Sequence, residues 1–104
     1  MSAKMFRGVG VALVTPFHTD GSIDFNSLKK LVEFVTANGV DYLVALGTTG
    51  ETPTMSTNEK MEVLQCVIDA NVAKLPLICG IGGSNTAEVI DNIKKFPLSR
   101  VDAI

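Results

Sequence analysis

The sequence predicts a parallel α/β fold, and three observations carry that prediction. Short apolar runs start near Val9, Tyr42, Leu77 and Val101. Between them, apolar residues recur at helical spacing. The starts repeat at roughly the 30 or more residues of a βαβ unit. Runs that are apolar on both faces, alternating with amphipathic helices, mean a parallel sheet covered by helices.

Val9-Gly10-Val11-Ala12-Leu13-Val14 is the first strand, and Thr15-Pro16 ends it. Proline offers no N–H to a ladder and holds the preceding residue extended. His18-Thr19-Asp20-Gly21-Ser22 is a polar loop. Asp24 caps a helix whose Phe25, Leu28, Leu31, Val32 and Val35 share one face, and Gly39 closes it. Tyr42-Leu43-Val44-Ala45-Leu46 is the second strand. A loop of small and hydroxyl residues leads to Ser56-Thr57-Asn58-Glu59, which has the form of a capping box. The helix it opens turns Val63, Leu64, Val67 and Ile68 to the core. Pro76-Leu77-Ile78-Cys79-Gly80-Ile81 is the third strand. Asn85 caps the next helix, with Ile90 and Ile93 as its core face and Pro97 as its stop. Val101-Asp102-Ala103-Ile104 begins a fourth strand.

Composition narrows the function classes. Nine Lys and Arg stand against 11 Asp and Glu, a net charge of −2, so an electrostatic nucleic-acid binder is excluded. With 46% hydrophobic and 19% charged residues the chain is not a disordered one. No apolar run approaches the length of a membrane span, and the expectation is a soluble cytoplasmic protein. Cys66 and Cys79 match no metal spacing and read as buried small hydrophobes. His18, the single histidine, has no second ligand at metal spacing and reads as a solvated loop residue. The seven lysines, Lys4 among them, fall near the N-terminus, in helices or near helix ends, and read as surface groups. Neither a metal nor a cofactor is expected.

Ligands of parallel α/β folds bind at the C-terminal ends of strands. Ala12 to Pro16, Gly47 to Glu51 and Gly80 to Asn85 fall there. In Gly47-Thr48-Thr49-Gly50-Glu51 two glycines allow a sharp turn and a close backbone approach. Successive N–H groups there can form an anion-binding nest, and two hydroxyls add donors and acceptors without charge. The same residues also suit a turn whose hydroxyls serve only the local backbone. The loop lacks the Lys-Ser/Thr ending of a phosphate-binding Walker loop, and Gly80-Ile81-Gly82-Gly83 fails the dinucleotide fingerprint at Asn85. Close backbone approach explains those glycines better.

Two architectures fit this pattern, a doubly wound open sheet or part of a (β/α)8 barrel. A barrel needs about 250 residues, and the last strand here is barely begun, so the expectation is a fragment.

Gly47-Thr48-Thr49-Gly50-Glu51, Val11-Ala12-Leu13-Val14-Thr15-Pro16-Phe17 and Gly82-Gly83-Ser84-Asn85-Thr86-Ala87-Glu88 together resemble the N-terminal part of the dihydrodipicolinate (4-hydroxy-tetrahydrodipicolinate) synthase family. That family belongs with the pyruvate-dependent class I aldolases, N-acetylneuraminate lyase included. The resemblance runs the length of the chain. It implies the N-terminal three and a half β/α units of a TIM barrel, with residues 1–104 as the first portion of a single barrel domain.

The resemblance also implies a chemistry. A strand lysine forms a Schiff base with pyruvate, and the enamine attacks aspartate semialdehyde on the way to diaminopimelate and lysine. Thr48 matches a threonine that links two tyrosines in a proton relay. Thr49 matches the residue that binds the pyruvate carboxylate, and Ala12 and Gly47 line the same pocket. The lysine and both relay tyrosines fall beyond Ile104 in the family pattern, so this chain alone is expected to be inactive. Tyr42, at the start of the second strand, reads as a packing residue. Ser84 and Glu88 match an effector site for lysine, with Thr52 and Pro53 nearby. Thr57 and Lys60 stand where lysine-sensitive members often carry histidines, which argues against feedback inhibition. A homotetramer of tight dimers is implied for the intact enzyme. The rival readings are a fragment of an N-acetylneuraminate lyase or keto-deoxy-sugar-acid aldolase, and a non-catalytic α/β module that binds an anion at Gly47–Glu51.

Overall fold

The computed structural model describes residues 6–104, and Lys4 lies outside them. In chain order the elements are β1 (Gly10–Ala12), α1 (Phe25–Ala37), β2 (Tyr42–Ala45), α2 (Thr57–Ala70), β3 (Leu77–Cys79) and α3 (Thr86–Lys95). Short 3₁₀ turns occupy Thr48–Gly50, Thr52–Thr54 and Leu98–Arg100.

Local chemistry starts each helix. The Asp24 carboxylate accepts from the Ser27 N–H at 3.0 Å and the Ser27 hydroxyl at 2.7 Å. The hydroxyl bond and then the N–H bond hold the Asp24 carboxyl below its usual range. At α2 the capping box is complete. Ser56 Oγ accepts from the Glu59 N–H at 3.1 Å, and Glu59 Oε1 accepts from the Ser56 N–H at 2.8 Å. Asn85 Oδ1 accepts from the Glu88 N–H at 3.2 Å to open α3. Gly39 lies just past α1 with φ 87°, the left-handed conformation the closing residue needs. No helix among the described residues is long and apolar enough to cross a membrane.

The three strands pair in parallel in the order β1-β2-β3. Ala12 lies in register with Val44, and Val44 with Ile78. A fourth strand begins beside β3. Ala103 bridges Ile78 in parallel, and the Cys79 N–H donates to the Ala103 carbonyl at 2.9 Å. The Asp102 carboxylate takes the Leu77 N–H at 2.9 Å.

Strand alternation sorts the sheet into two faces. Leu43, Ala45, Leu77 and Cys79 are buried in one core with Leu28 and Val32 of α1 and Val63, Leu64 and Val67 of α2. The other face carries Gly10, Ala12 and Val14, all exposed, beside half-buried Tyr42, Val44 and Ile78. The Tyr42 ring meets Phe6 edge to face at 5.7 Å and covers the space a Cβ at Gly10 would need, which is the packing role expected of it.

Three expectations need correction. The strands are shorter than the apolar runs. In particular β2 stops at Ala45, because Leu46 turns left-handed at φ 58°. Ile90 is 49% exposed, not a core residue. It lies on the uncovered flank of α3, and Phe96 beyond the helix end is buried instead. Of the two cysteines only Cys79 is fully buried, and Cys66 is half-buried on α2.

The cysteines differ in chemistry accordingly. Desolvation pushes the Cys79 thiol up to about 11. Burial, and then the negative charge of Asp69, raises that of Cys66. The thiolate is the nucleophile, so both react slowly near neutral pH. A thiol reagent near neutral pH is expected to label Cys66 first and Cys79 only once the fold opens. Equal labelling rates in the native protein would contradict this packing.

Candidate functional site

The C-terminal ends of the strands gather the residues singled out by the sequence. β2 leaves the sheet through Leu46, which is 4% exposed and held at φ 58°. A non-glycine residue there carries about 1–3 kcal/mol of strain. Gly47 comes next with extended backbone, φ −77° and ψ −177°, and the 3₁₀ turn Thr48–Gly50 begins at once. Glu51 ends the turn, also left-handed at φ 59°, and its carbonyl accepts from Thr54 Oγ1 at 2.7 Å. The two glycines of the motif therefore do not make the bends. Leu46 and Glu51 make them.

Of the two, Gly50 serves close approach, while a Cβ on Gly47 would meet only Val44 at 3.7 Å. Gly50 is buried, and a Cβ on it would lie 3.2 Å from Thr15 Oγ1 and 3.5 Å from the Leu13 carbonyl. The turn is thus docked on the end of β1, just past Ala12. Gly80, past the end of β3, presses on β2 from the other side. A Cβ there would run into the Leu46 carbonyl oxygen and sit 3.2 Å from the Gly47 Cα. The Gly80 N–H donates to the Ala45 carbonyl at 2.8 Å. Close backbone approach, and not a dinucleotide loop, accounts for this glycine.

The turn satisfies part of its own backbone. The Gly50 N–H donates to Gly47 at 2.9 Å and the Glu51 N–H to Thr48 at 3.0 Å. The N–H groups of Thr48 and Thr49 have no such backbone partner among the described residues, and both side chains are exposed. The nest expected over the whole loop reduces to these two N–H groups and two hydroxyls. That donor set suits one small carboxylate. Ala12 is exposed on the open sheet face, and Gly47 is half-buried.

Thr48 also reaches a second group of residues. With Ser84 and Glu88 it lines a cleft of about 410 Å³, to which Thr52, Pro53 and Lys60 contribute. The structure thus brings the effector-site candidates together on the flank of the turn, with one cation and one anion among them. Thr57, at the start of α2, is not part of the lining. Thr49, Ala12 and Gly47 stand outside this cleft, so the six candidate residues divide into two neighbouring groups that share Thr48.

His18 is largely exposed, with Nδ1 3.8 Å from Asp24 Oδ2, and belongs to neither group. At the opposite end of the sheet, Asn71, Lys74, Ser99, Arg100 and Asp102 surround a cavity of about 260 Å³. Sequence reasoning missed the bend at Leu46 and the polar side chains that organise this far end. The Asn71 amide group bonds the Leu75 backbone twice, at 2.9 and 3.1 Å.

Comparison with known proteins gives the family and the fold. The model of the dihydrodipicolinate synthetase family matches residues 5–104. The 4-hydroxy-tetrahydrodipicolinate synthase of Flavobacterium psychrophilum is 48% identical over 101 residues, covering 97% of this chain and 34% of that protein. Dihydrodipicolinate synthase from Aquifex aeolicus superposes with a TM-score of 0.81 at 34% identity, covering 94% of this chain and 33% of the other. N-acetylneuraminate lyase from Mycoplasma synoviae superposes at 0.80 with 35% identity, covering 89% of this chain and 32% of the other. The chain spans about a third of the length of the curated relatives it matches. Its fold is the N-terminal three and a half β/α units of a (β/α)8 barrel.

Proposed function

Because the chain belongs to the dihydrodipicolinate synthetase family, we propose that it is the N-terminal portion of a TIM-barrel synthase that condenses pyruvate with aspartate semialdehyde. The observation that carries the reading is the Gly47–Glu51 turn, with the N–H groups and hydroxyls of Thr48 and Thr49 presented at a strand end. A catalytic group must lie within hydrogen-bond reach of the atom it serves, and a strand end provides the rigid mount.

In this reading Thr49 holds the pyruvate carboxylate through its hydroxyl and N–H, while Ala12 and Gly47 leave room for the small substrate. A lysine outside residues 1–104 condenses with the pyruvate ketone and releases water. Loss of a methyl proton gives the enamine, whose carbon attacks the aldehyde. Thr48 accepts one proton while donating another, which a hydroxyl can do without being a strong base. The open sheet face of Gly10, Ala12, Val14, Tyr42, Val44 and Ile78 is the inner wall of the barrel, which later strands cover. Residues 1–104 alone lack the Schiff-base lysine and are inactive. The intact enzyme is a cytoplasmic homotetramer.

The lyase neighbour supports a second reading, since both enzymes share the pyruvate half of the chemistry. The full-length protein supplied with pyruvate and either aspartate semialdehyde or N-acetylmannosamine separates them by product analysis. Consumption of the semialdehyde supports the synthase, and consumption of the amino sugar overturns it.

A further inference from the structure

We propose that Leu46 is a positioning residue for the Thr48-Thr49 turn, acting through its left-handed backbone and not through its side chain. The inference rests on the functional reading above and extends it to a residue outside the substrate pocket.

Local preference and observed backbone conflict at Leu46. Leucine has no local reason to adopt φ 58°, since its Cβ crowds the carbonyl oxygen there. The conformation persists only because the surroundings impose it. Two constraints do so. The side chain is buried at 4% exposure in the core between sheet and helices. The carbonyl lies against Gly80, where a Cβ would collide with it, and the Gly80 N–H holds the preceding residue, Ala45, at 2.8 Å. The backbone is thus pinned at both sides of one residue.

The link from Leu46 to the turn is short. Only Gly47 separates it from Thr48, and the Gly50 N–H closes the turn back on the Gly47 carbonyl at 2.9 Å. Gly50 is docked against Thr15 and the end of β1. With the far end of the turn fixed on β1, the bend at Leu46 determines where the N–H groups and hydroxyls of Thr48 and Thr49 point. Relaxing Leu46 to extended backbone would continue β2 straight and carry both threonines away from that position. A displacement near 1 Å at such a site is enough to cost about 10²-fold in rate.

A substitution series in the full-length protein tests this, because tolerance of positive φ and side-chain size rank the residues differently. Leu46→Gly and Leu46→Asn keep the left-handed bend accessible. Leu46→Ala resists it, and β-branched Leu46→Val resists it more. The readouts are the KM for pyruvate, kcat and the melting temperature. The expected result is that Gly and Asn stay within about threefold of the wild-type pyruvate KM although they destabilise the fold, whereas Val raises it about tenfold or more. Gly80→Ala, which pushes the Leu46 carbonyl from the other side, is expected to act like Leu46→Val. If Leu46→Val does not fold, the Ala variant against the Gly variant gives the same comparison.

Two results overturn the proposal. One is a pyruvate KM that tracks lost side-chain volume, with Leu46→Gly worst and Leu46→Val near wild type. The other is a KM that does not change across the series while the wild type traps pyruvate as a borohydride-stable adduct, which leaves the functional reading standing. A wild-type protein that traps no pyruvate removes the functional reading and this inference with it.

Discussion

Replacing Thr48 with valine in the full-length protein is expected to lower kcat by about 10²-fold or more, the usual contribution of a positioned proton-transfer group. Valine keeps the volume and branching of threonine and removes only the hydroxyl. The Thr48 side chain is exposed beside the cleft and does not support the core, so the fold is expected to survive. The KM for pyruvate is expected to change by less than about threefold, because a group that acts on the transition state lowers kcat without altering ground-state binding. Thr49→Val is the contrasting variant. If Thr49 holds the carboxylate as proposed, this variant loses that hydroxyl bond and is expected to raise the pyruvate KM. Steady-state kinetics on both variants decides the assignment. A Thr48→Val enzyme with kcat near the wild-type value would remove Thr48 from the proton path.

The second large effect concerns stability. Leu64→Ala is expected to destabilise the full-length protein by about 2–5 kcal/mol. Leu64 is fully buried at 0% exposure on α2, in the core that also holds Leu28, Val32, Leu43 and Leu77. Truncation removes apolar contacts from that core and leaves a cavity that close-packed neighbours only partly fill. Phe34→Ala on the outer flank of α1 is the control. Phe34 is 66% exposed, and its loss is expected to matter by less than about 0.5 kcal/mol. Urea denaturation of both variants, with unchanged slopes, measures the difference. Equal midpoints for the two would contradict the core described here.

Much of this structure was legible in the residues because its determinants are local. Asp24, Ser56 and Asn85 cap helices through bonds to residues three positions on, so the signal lies in a four-residue window. The helix faces of Leu28, Val32, Leu64 and Val67 come from periodicity alone. The parallel order of the strands comes from their spacing. The failures have a common cause, which is that tertiary contacts override local preference. Nothing in the sequence around Leu46 announces a left-handed leucine, and the glycines beside it drew the bend to the wrong residues. Its conformation is set by Gly80, far along the chain, and by burial. Ile90 occupies a helical core position by periodicity, yet periodicity alone does not say which flank of the helix the fold covers. At the candidate site, the motif led to Thr48 and Thr49. The division of the site residues into a strand-end group and a cleft group came only with the three-dimensional arrangement.

If these residues belong to an enzyme that holds pyruvate covalently, the adduct itself can be weighed. The intact mass of the full-length protein, taken before and after treatment with pyruvate and borohydride, reads it directly. One reduced pyruvate adduct per chain is expected, formed also by the Thr48→Val variant. A mass unchanged by the treatment would contradict covalent capture and leave the Gly47–Glu51 turn as an anion-binding loop without Schiff-base chemistry.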